Sequence, residues 1–296
     1  MKTRSAFTMI ELIFVIVVMG IIGKFGVEFL AQAYKSFIYS NVNNALQSQS
    51  AAAVELIASR LQYRIKDSVI ARKGTTSAIT GIGSAAGTGF TVLEWVSMDI
   101  DGYRGTTAAN WSGIIDLDVG NSAVLNSPAT DTSNISSLIS TLSYGTKTVN
   151  NSALYFIGSN SDINGYGYNG AIDSQLLTLH PIKSTAITTN FIPRVGSTGN
   201  INSLTGIDIY EYYKLVWTAY AIVHEADNSL TLRYNYQPWN GDVIADAKSS
   251  IIMENVSTFQ FMAVGSIIKI QVCTKSDIID GDSTGGYSIC KEKTIF

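Results

Sequence analysis

The stretch that most constrains this chain is its N-terminal 22 residues, MKTRSAFTMIELIFVIVVMGII. Lys2 and Arg4 come first, followed by small Ala6, aromatic Phe7 and a run that is apolar except for Thr8 and Glu11. Residues 12–22 carry no charge, and residues 25–33 stay mostly apolar. Such a run is membrane-compatible in length and composition. The anomaly is Glu11. A charged side chain carried into lipid costs about 2.5–3.5 kcal/mol on insertion scales, so the acid needs a reason.

Three readings of this stretch compete. A secretory signal peptide uses Lys2 and Arg4 as its basic region and residues 12–22 as its apolar core, with a small-x-small site at Ala31-Gln32-Ala33. Its cleavage region would then be long and would hold Lys24 and Glu28. A plain signal anchor keeps Lys2 and Arg4 in the cytoplasm. Both leave Glu11 without a role.

The third reading uses every residue. AFTMIEL behind a short basic leader resembles the type IV prepilin signature. The family more often carries Gly at the position of Ala6. The resemblance implies cleavage by a prepilin peptidase between Ala6 and Phe7, N-methylation of Phe7, and pairing of Glu11 with the N-terminal amine of a neighbouring subunit. Two opposite charges that are each costly in lipid offset one another only inside an assembly.

Behind this stretch, residues 7–73 contain no proline and read as one long helix. Beyond Ala33 the pattern turns amphipathic. Ile38, Val42, Leu46, Val54, Ile57, Leu61, Ile65 and Val69 share one face, with Asn41, Gln47, Glu55, Arg60 and Lys66 opposite. Arg72 and Lys73 suit the negative end of the helix dipole, and Gly74 suits its cap.

The remainder has a β texture: 25 Gly and 15 Tyr against 4 Pro in 296 residues. Residues 75–89 read as a flexible linker, since no Lys completes a phosphate loop. Residues 90–98, 111–119, 154–157, 175–180 and 267–273 read as strands. Asp99-Ile100-Asp101-Gly102 reads as a turn, lacking the ligand series of a calcium loop. Residues 121–148 and 185–205 read as polar loops. The clearest unit is a hairpin, 212–225 with 229–236, turning at Ala226-Asp227-Asn228 and stopped by Pro238. The segment around it resembles J-type minor pseudopilins of type II secretion and related minor pilins, through Arg233 and Tyr234, then Asn255, Val256, Phe259 and Phe261.

Cys273 and Cys290 are the only cysteines. In an exported chain they form a disulfide, and in the cytosol they are two thiols, so targeting decides. Pilins commonly close their C-terminal region with a disulfide, and this placement is similar. The crosslink would contribute about 3 kcal/mol. Between the cysteines, Asp277, Asp280 and Asp282 form either a candidate calcium loop or a solvated turn, with irregular ligand spacing favouring the turn.

Enzymatic signals are thin. His180 and His224 have no Cys or second His at ligand spacing. The chain has neither a GxSxG elbow nor a Walker loop. The net charge of −3, or −5 without Lys2 and Arg4, offers no electrostatic footprint for nucleic acid.

The expectation is an α+β, type IV pilin-like fold: a long N-terminal helix on an antiparallel sheet with long loops. Residues 1–6 form a leader, 7–33 a transmembrane and assembly half-helix, 34–73 an amphipathic half-helix, and 74–296 a mainly β periplasmic domain. The resemblance implies a non-enzymatic minor pilin or pseudopilin in the inner membrane. Its partners would be lipid, prepilin peptidase, the inner-membrane assembly platform and other pilin or pseudopilin subunits. The rivals are a tip adhesin or DNA-uptake pilin, whose ligand would bind the polar loops, and an exported enzyme starting at Tyr34.

Overall fold

The computed structural model describes residues 8–85, 87, 89–159, 161–276 and 288–296. Helix α1 (Met9–Leu61) is one uninterrupted element of 53 residues, about 80 Å long at 1.5 Å per residue. The expected continuation to Lys73 does not occur. After Leu61 the backbone leaves the helix to bond a strand: Ile65 N–H donates to Val96 O at 2.9 Å, and Met98 N–H donates to Tyr63 O at 2.9 Å. Arg64 seals the helix end by donating to Leu61 O at 2.9 Å and Ser266 O at 2.7 Å. Ile65 and Val69 are buried as expected, but on extended chain. Arg72 serves an ion pair with Glu94 instead of a helix dipole, and Gly74 stands in a turn.

The next elements are β1 (Ile70–Arg72), β2 (Thr80–Gly81), β3 (Val92–Met98), α2 (Ile100–Arg104), β4 (Leu125–Asn126) and α3 (Thr132–Leu142). They are followed by β5 (Ala153–Phe156), β6 (Leu179–Ser184), β7 (Asn190–Pro193), β8 (Tyr213–His224), β9 (Leu230–Tyr236) and β10 (Lys248–Met253). The chain closes with β11 (Val256–Val264), β12 (Ile267–Lys275) and β13 (Ser288–Ile295).

Strands β1 to β10 make one antiparallel sheet in the order β2-β1-β3-β8-β5-β6-β7-β4, with β9 branching from β8 and β10 pairing with β9. One edge of β8 carries β3, from Met98 opposite Val216 to Val92 opposite Val223. The other edge is divided between β5 and β9. The expected β8–β9 hairpin is present. Asn228 takes the left-handed conformation (φ 64°), and Asp227 accepts from Ser229 N–H at 2.9 Å.

Strand β8 is buried on both faces, with five consecutive buried residues from Leu215 to Ala219. This continuous burial is what a sheet covered on both sides produces. On one face Leu93, Trp95, Ile222 and Leu232 share a core with Val54, Ile57 and Leu61 of α1. The second sheet, in the order β11-β12-β13, contributes Phe259, Phe261, Ile270 and Val272 to that same core. The other face packs Val96, Val216 and Val223 against Tyr166, Tyr236 and Trp239. Gly167 makes this approach possible: its φ is +87°, and a Cβ there would stand 2.5 Å from the Trp239 backbone.

Several expectations are corrected. Residues 111–119 form no strand, only single bridges at Ile114 and Asp116, because Asp116 turns the chain by accepting from Asp118 N–H at 3.0 Å. Residues 121–148 and 185–205 are not simply loops. They supply β4, α3 and β7 and a third core with Leu125, Ile135, Ile139, Phe191 and Leu204. Helix α3 is capped by Asp131, which accepts from Ser133 N–H at 2.9 Å. The acidic turn at 99–102 is the start of α2, with Asp99 accepting from Gly102 N–H at 3.1 Å. The linker at 75–89 contains β2 and buried Ala85.

Ile57 is fully buried where α1 meets both sheets. Ile57→Ala is expected to destabilise the body by about 2–5 kcal/mol, read as a lowered denaturation midpoint with unchanged slope.

Candidate assembly site

The same helix that is buried at Val54, Ile57 and Leu61 is bare at its other end. Residues 9–37 are exposed except for Val18, which is partly covered. Phe14, Phe25 and Phe29 are 69%, 66% and 70% exposed. This helix is long and apolar enough to cross a membrane. Among the described residues nothing covers it, and the core it enters begins only at Ser50 and Ala53. The partly covered residues Ile38, Val42 and Leu46 mark the transition.

Glu11 lies in the first turn, where its carboxylate accepts from Thr8 N–H and from Thr8 Oγ1, both at 2.9 Å. Both contacts fall within three residues, and no hydrogen bond from the described residues of the globular body reaches the acid. The expected cleavage and methylation positions, Ala6 and Phe7, lie outside the described residues. So do the candidate calcium ligands Asp277, Asp280 and Asp282. Among the described residues, no group of three or more His, Cys, Asp or Glu is placed to hold a metal.

Cys273 and Cys290 are bonded and sit opposite each other in register on β12 and β13. The crosslink fastens the outermost strand of the small sheet. Lys293 on the same strand reaches both carboxylate oxygens of Glu55 on α1, each at 2.5 Å. The C-terminal hairpin is thus closed covalently within itself, and it is joined to the helix through the core and by the surface ion pair.

Two clefts on the body collect polar groups. One, of about 410 Å³, has Arg72 and Glu94 at its base and Tyr168, Gly170 and Val243 on its walls. Its charges are already satisfied. Arg72 bonds Glu94 at 2.8 Å, Ser77 O at 2.8 Å and Tyr168 O at 3.2 Å, and Tyr236 donates to Glu94 at 2.9 Å. Burial pushes the Glu94 carboxyl up, and Arg72 and the Tyr236 hydroxyl pull against that rise.

The other cleft, of about 380 Å³, lies beside the end of α1 and is lined by Arg60, Tyr63, Asp99, Arg104 and Tyr220. Arg104 stacks on Tyr63 and donates to its hydroxyl at 2.7 Å. Asp99 is 2% exposed, and besides Gly102 the side chains of Trp111 and Trp217 favour its charged form. Burial, reinforced by Asp101, raises its carboxyl to about 6 against the bond from Gly102.

The histidines are placed separately. His180, held neutral by burial with its pKa lowered to about 4, bonds Gln175 at 3.1 Å. His224 faces Val256 O at 3.0 Å. No family model, curated protein or solved structure matches the chain.

The Asp99 site sets a pH signature. Its raised folded pKa means that its contribution is fully present below pH 4 and is lost as pH rises through about 6. Asp99→Asn keeps the cap and removes the buried charge. The variant is expected to gain up to about 3 kcal/mol over the parent at pH 7.5, at 1.36 kcal/mol per unit, and nothing at pH 4. Urea denaturation at the two pH values measures this difference.

Proposed function

We propose that this chain is a pilin-like assembly subunit, held first in the inner membrane by α1 and then packed through the same helix among other subunits, with its β body in the periplasm. The observation that carries this reading is the division of α1. Its last turns are sealed in a core, while residues 9–37 present bulky apolar side chains to no partner among the described residues. An exposed apolar surface of that extent belongs to lipid or to another protein.

Glu11 selects between these two. A helix that only anchors gains nothing from a carboxylate one turn into its apolar run. A helix that packs among copies of its own kind can pair that carboxylate with a neighbour's amine. The resemblance of AFTMIEL to prepilins supplies such an amine at Phe7. The size of the body, with its third core built from residues 111–217, fits a minor pilin or J-type minor pseudopilin better than the repeating unit of a fibre.

The body's core begins at Ser50, so cleavage after Ala33 would leave it intact, and the mature N-terminus therefore separates the two export routes. Mass measurement of membrane-extracted protein is expected to give an N-methylated Phe7 start; a Tyr34 start overturns the proposal. Glu11→Ala is expected to insert normally into membranes while its share of cross-linked multimers falls at least tenfold. Unchanged multimerisation removes the role assigned to the acid.

A further inference from the structure

The cleft beside the end of α1 differs from the cleft over Arg72 and Glu94 in one respect. There the opposite charges meet, at 2.8 Å. Here Arg60, Asp99, Asp101 and Arg104 line one volume of about 380 Å³, and none pairs with another. Among the described residues, neither arginine comes within ion-pair distance of a carboxylate.

Two tyrosines impose this separation. Asp101 and Arg104 stand three residues apart on α2, a spacing at which opposite charges on a helix can meet. Arg104 turns instead to Tyr63, lies over its ring at 5.6 Å from the centroid and donates to its hydroxyl at 2.7 Å. Arg60 lies over the Tyr220 ring, also at 5.6 Å, and Trp95 stacks with that ring at 5.9 Å. A guanidinium stacked on an aromatic ring keeps its plane, and so the direction of its unused N–H groups. Asp99 is fixed as well. Its carboxylate accepts from Gly102 N–H at 3.1 Å, and its own N–H donates to Leu215 O on β8 at 2.8 Å. The site is thus built on α1, α2 and β8 and is organised before any ligand arrives.

Arginine only donates hydrogen bonds, and ionised aspartate only accepts them. Two of each sum to no net charge, so what a free anion gains from the arginines it loses to the acids, and a free cation fares no better. A neutral ligand that donates and accepts at closely spaced atoms satisfies both pairs. Adjacent hydroxyls on a sugar ring do this, because every hydroxyl is both donor and acceptor. A peptide carries one N–H and one C=O per residue, on different atoms, and satisfies fewer of these groups in the same volume. Tyr63 and Tyr220 add apolar surface to the walls, and the volume lies within the range of small-molecule pockets.

We propose that this cleft binds an uncharged saccharide, which accepts hydrogen bonds from Arg60 and Arg104 and donates them to Asp99 and Asp101. No residue of the polar segments 121–148 and 185–205 lines it, and the site does not depend on how α1 assembles.

The test places the full-length chain, in phosphatidylcholine nanodiscs that avoid sugar-based detergents, on an array of uncharged, acidic and basic saccharides, with empty nanodiscs as the blank. Uncharged saccharides are expected to be retained, and acidic and basic ones to give the weaker signals. Arg60, Asp101 and Arg104 are exposed, so they can be changed without opening a core. Arg60→Gln combined with Arg104→Gln, and separately Asp101→Asn, are each expected to weaken retention about tenfold, the loss of one or two charge-assisted hydrogen bonds, with the urea midpoint unchanged. Asp101→Asn is nearly isosteric and decides the outcome if the arginine changes disturb the fold. Tri-alanine in large excess is expected to leave retention unaltered. The proposal is overturned if no uncharged saccharide is retained, if the variants retain it as the parent does, if a charged saccharide binds better, or if tri-alanine displaces it.

Discussion

The last three turns of α1 are where two sheets meet, and neither sheet is complete without them. Val54, Ile57 and Leu61 are covered from one side by Leu93, Trp95 and Ile222, and from the other by Phe259, Ile270 and Val272. The alanines at 53 and 58 are buried in the same core, where small side chains let a helix approach its neighbours closely. Each sheet would otherwise leave an apolar face in water, and burial of such faces is the dominant favourable term in folding. The consequence for the rest of α1 is mechanical. A helix with its end locked into a rigid body cannot turn its apolar length back onto that body, so residues 9–37 project from it.

Polar groups fix the geometry of this junction. Arg64, 3% exposed, bridges the end of α1 and the β11–β12 turn through Leu61 O and Ser266 O, and its burial lowers its pKa. On the far face of the large sheet, Arg72, Glu94 and Tyr236 form a closed network beneath Tyr168, whose hydroxyl donates to Ser68 O at 2.6 Å. A buried ion pair contributes little net stability but is costly to break. This one ties β1, β3 and β9 together at one point and so sets their register.

Much of this was legible from residue patterns, and the failures have physical causes. The hairpin around Asp227 and Asn228 could be read because both strands are rich in β-branched and aromatic residues and the turn residues tolerate left-handed backbone. The start of α1 and its exposed apolar face could be read because nothing else tolerates that composition. The end of α1 could not. Leu61, Ile65 and Val69 keep a four-residue apolar spacing, yet the last two are buried by sheet neighbours, and apolar periodicity does not distinguish these environments. Helix α3 escaped notice because only Ile135, Leu138, Ile139 and Leu142 interrupt its polar run, and a helix propped by a local cap and two buried isoleucines leaves a weak signal. Strand β13 escaped because an edge strand laced with Lys and Glu resembles a solvated tail. Glu11, Lys24 and Glu28 are a different case. Their positions are plain in the sequence, and in the structure Glu11 bonds Thr8 while Lys24 and Glu28 approach each other on the same helix.

The seat of α1 is made largely from the end of the chain. Glu55 and its partner Lys293 stand 238 residues apart, and β11, β12 and β13 all follow residue 255. The helix is synthesised well before these strands and must wait, the face they cover left open, until they follow. Contacts of such long sequence separation form slowly, and incomplete chains expose the surfaces that drive misassembly. A helix already held in lipid waits more safely than one in water. Under the membrane reading proposed above, delivery of the N-terminus to a bilayer before the body folds would act as a chaperoning step, and a chain interrupted before Ser288 would carry α1 without the last strand that seats it.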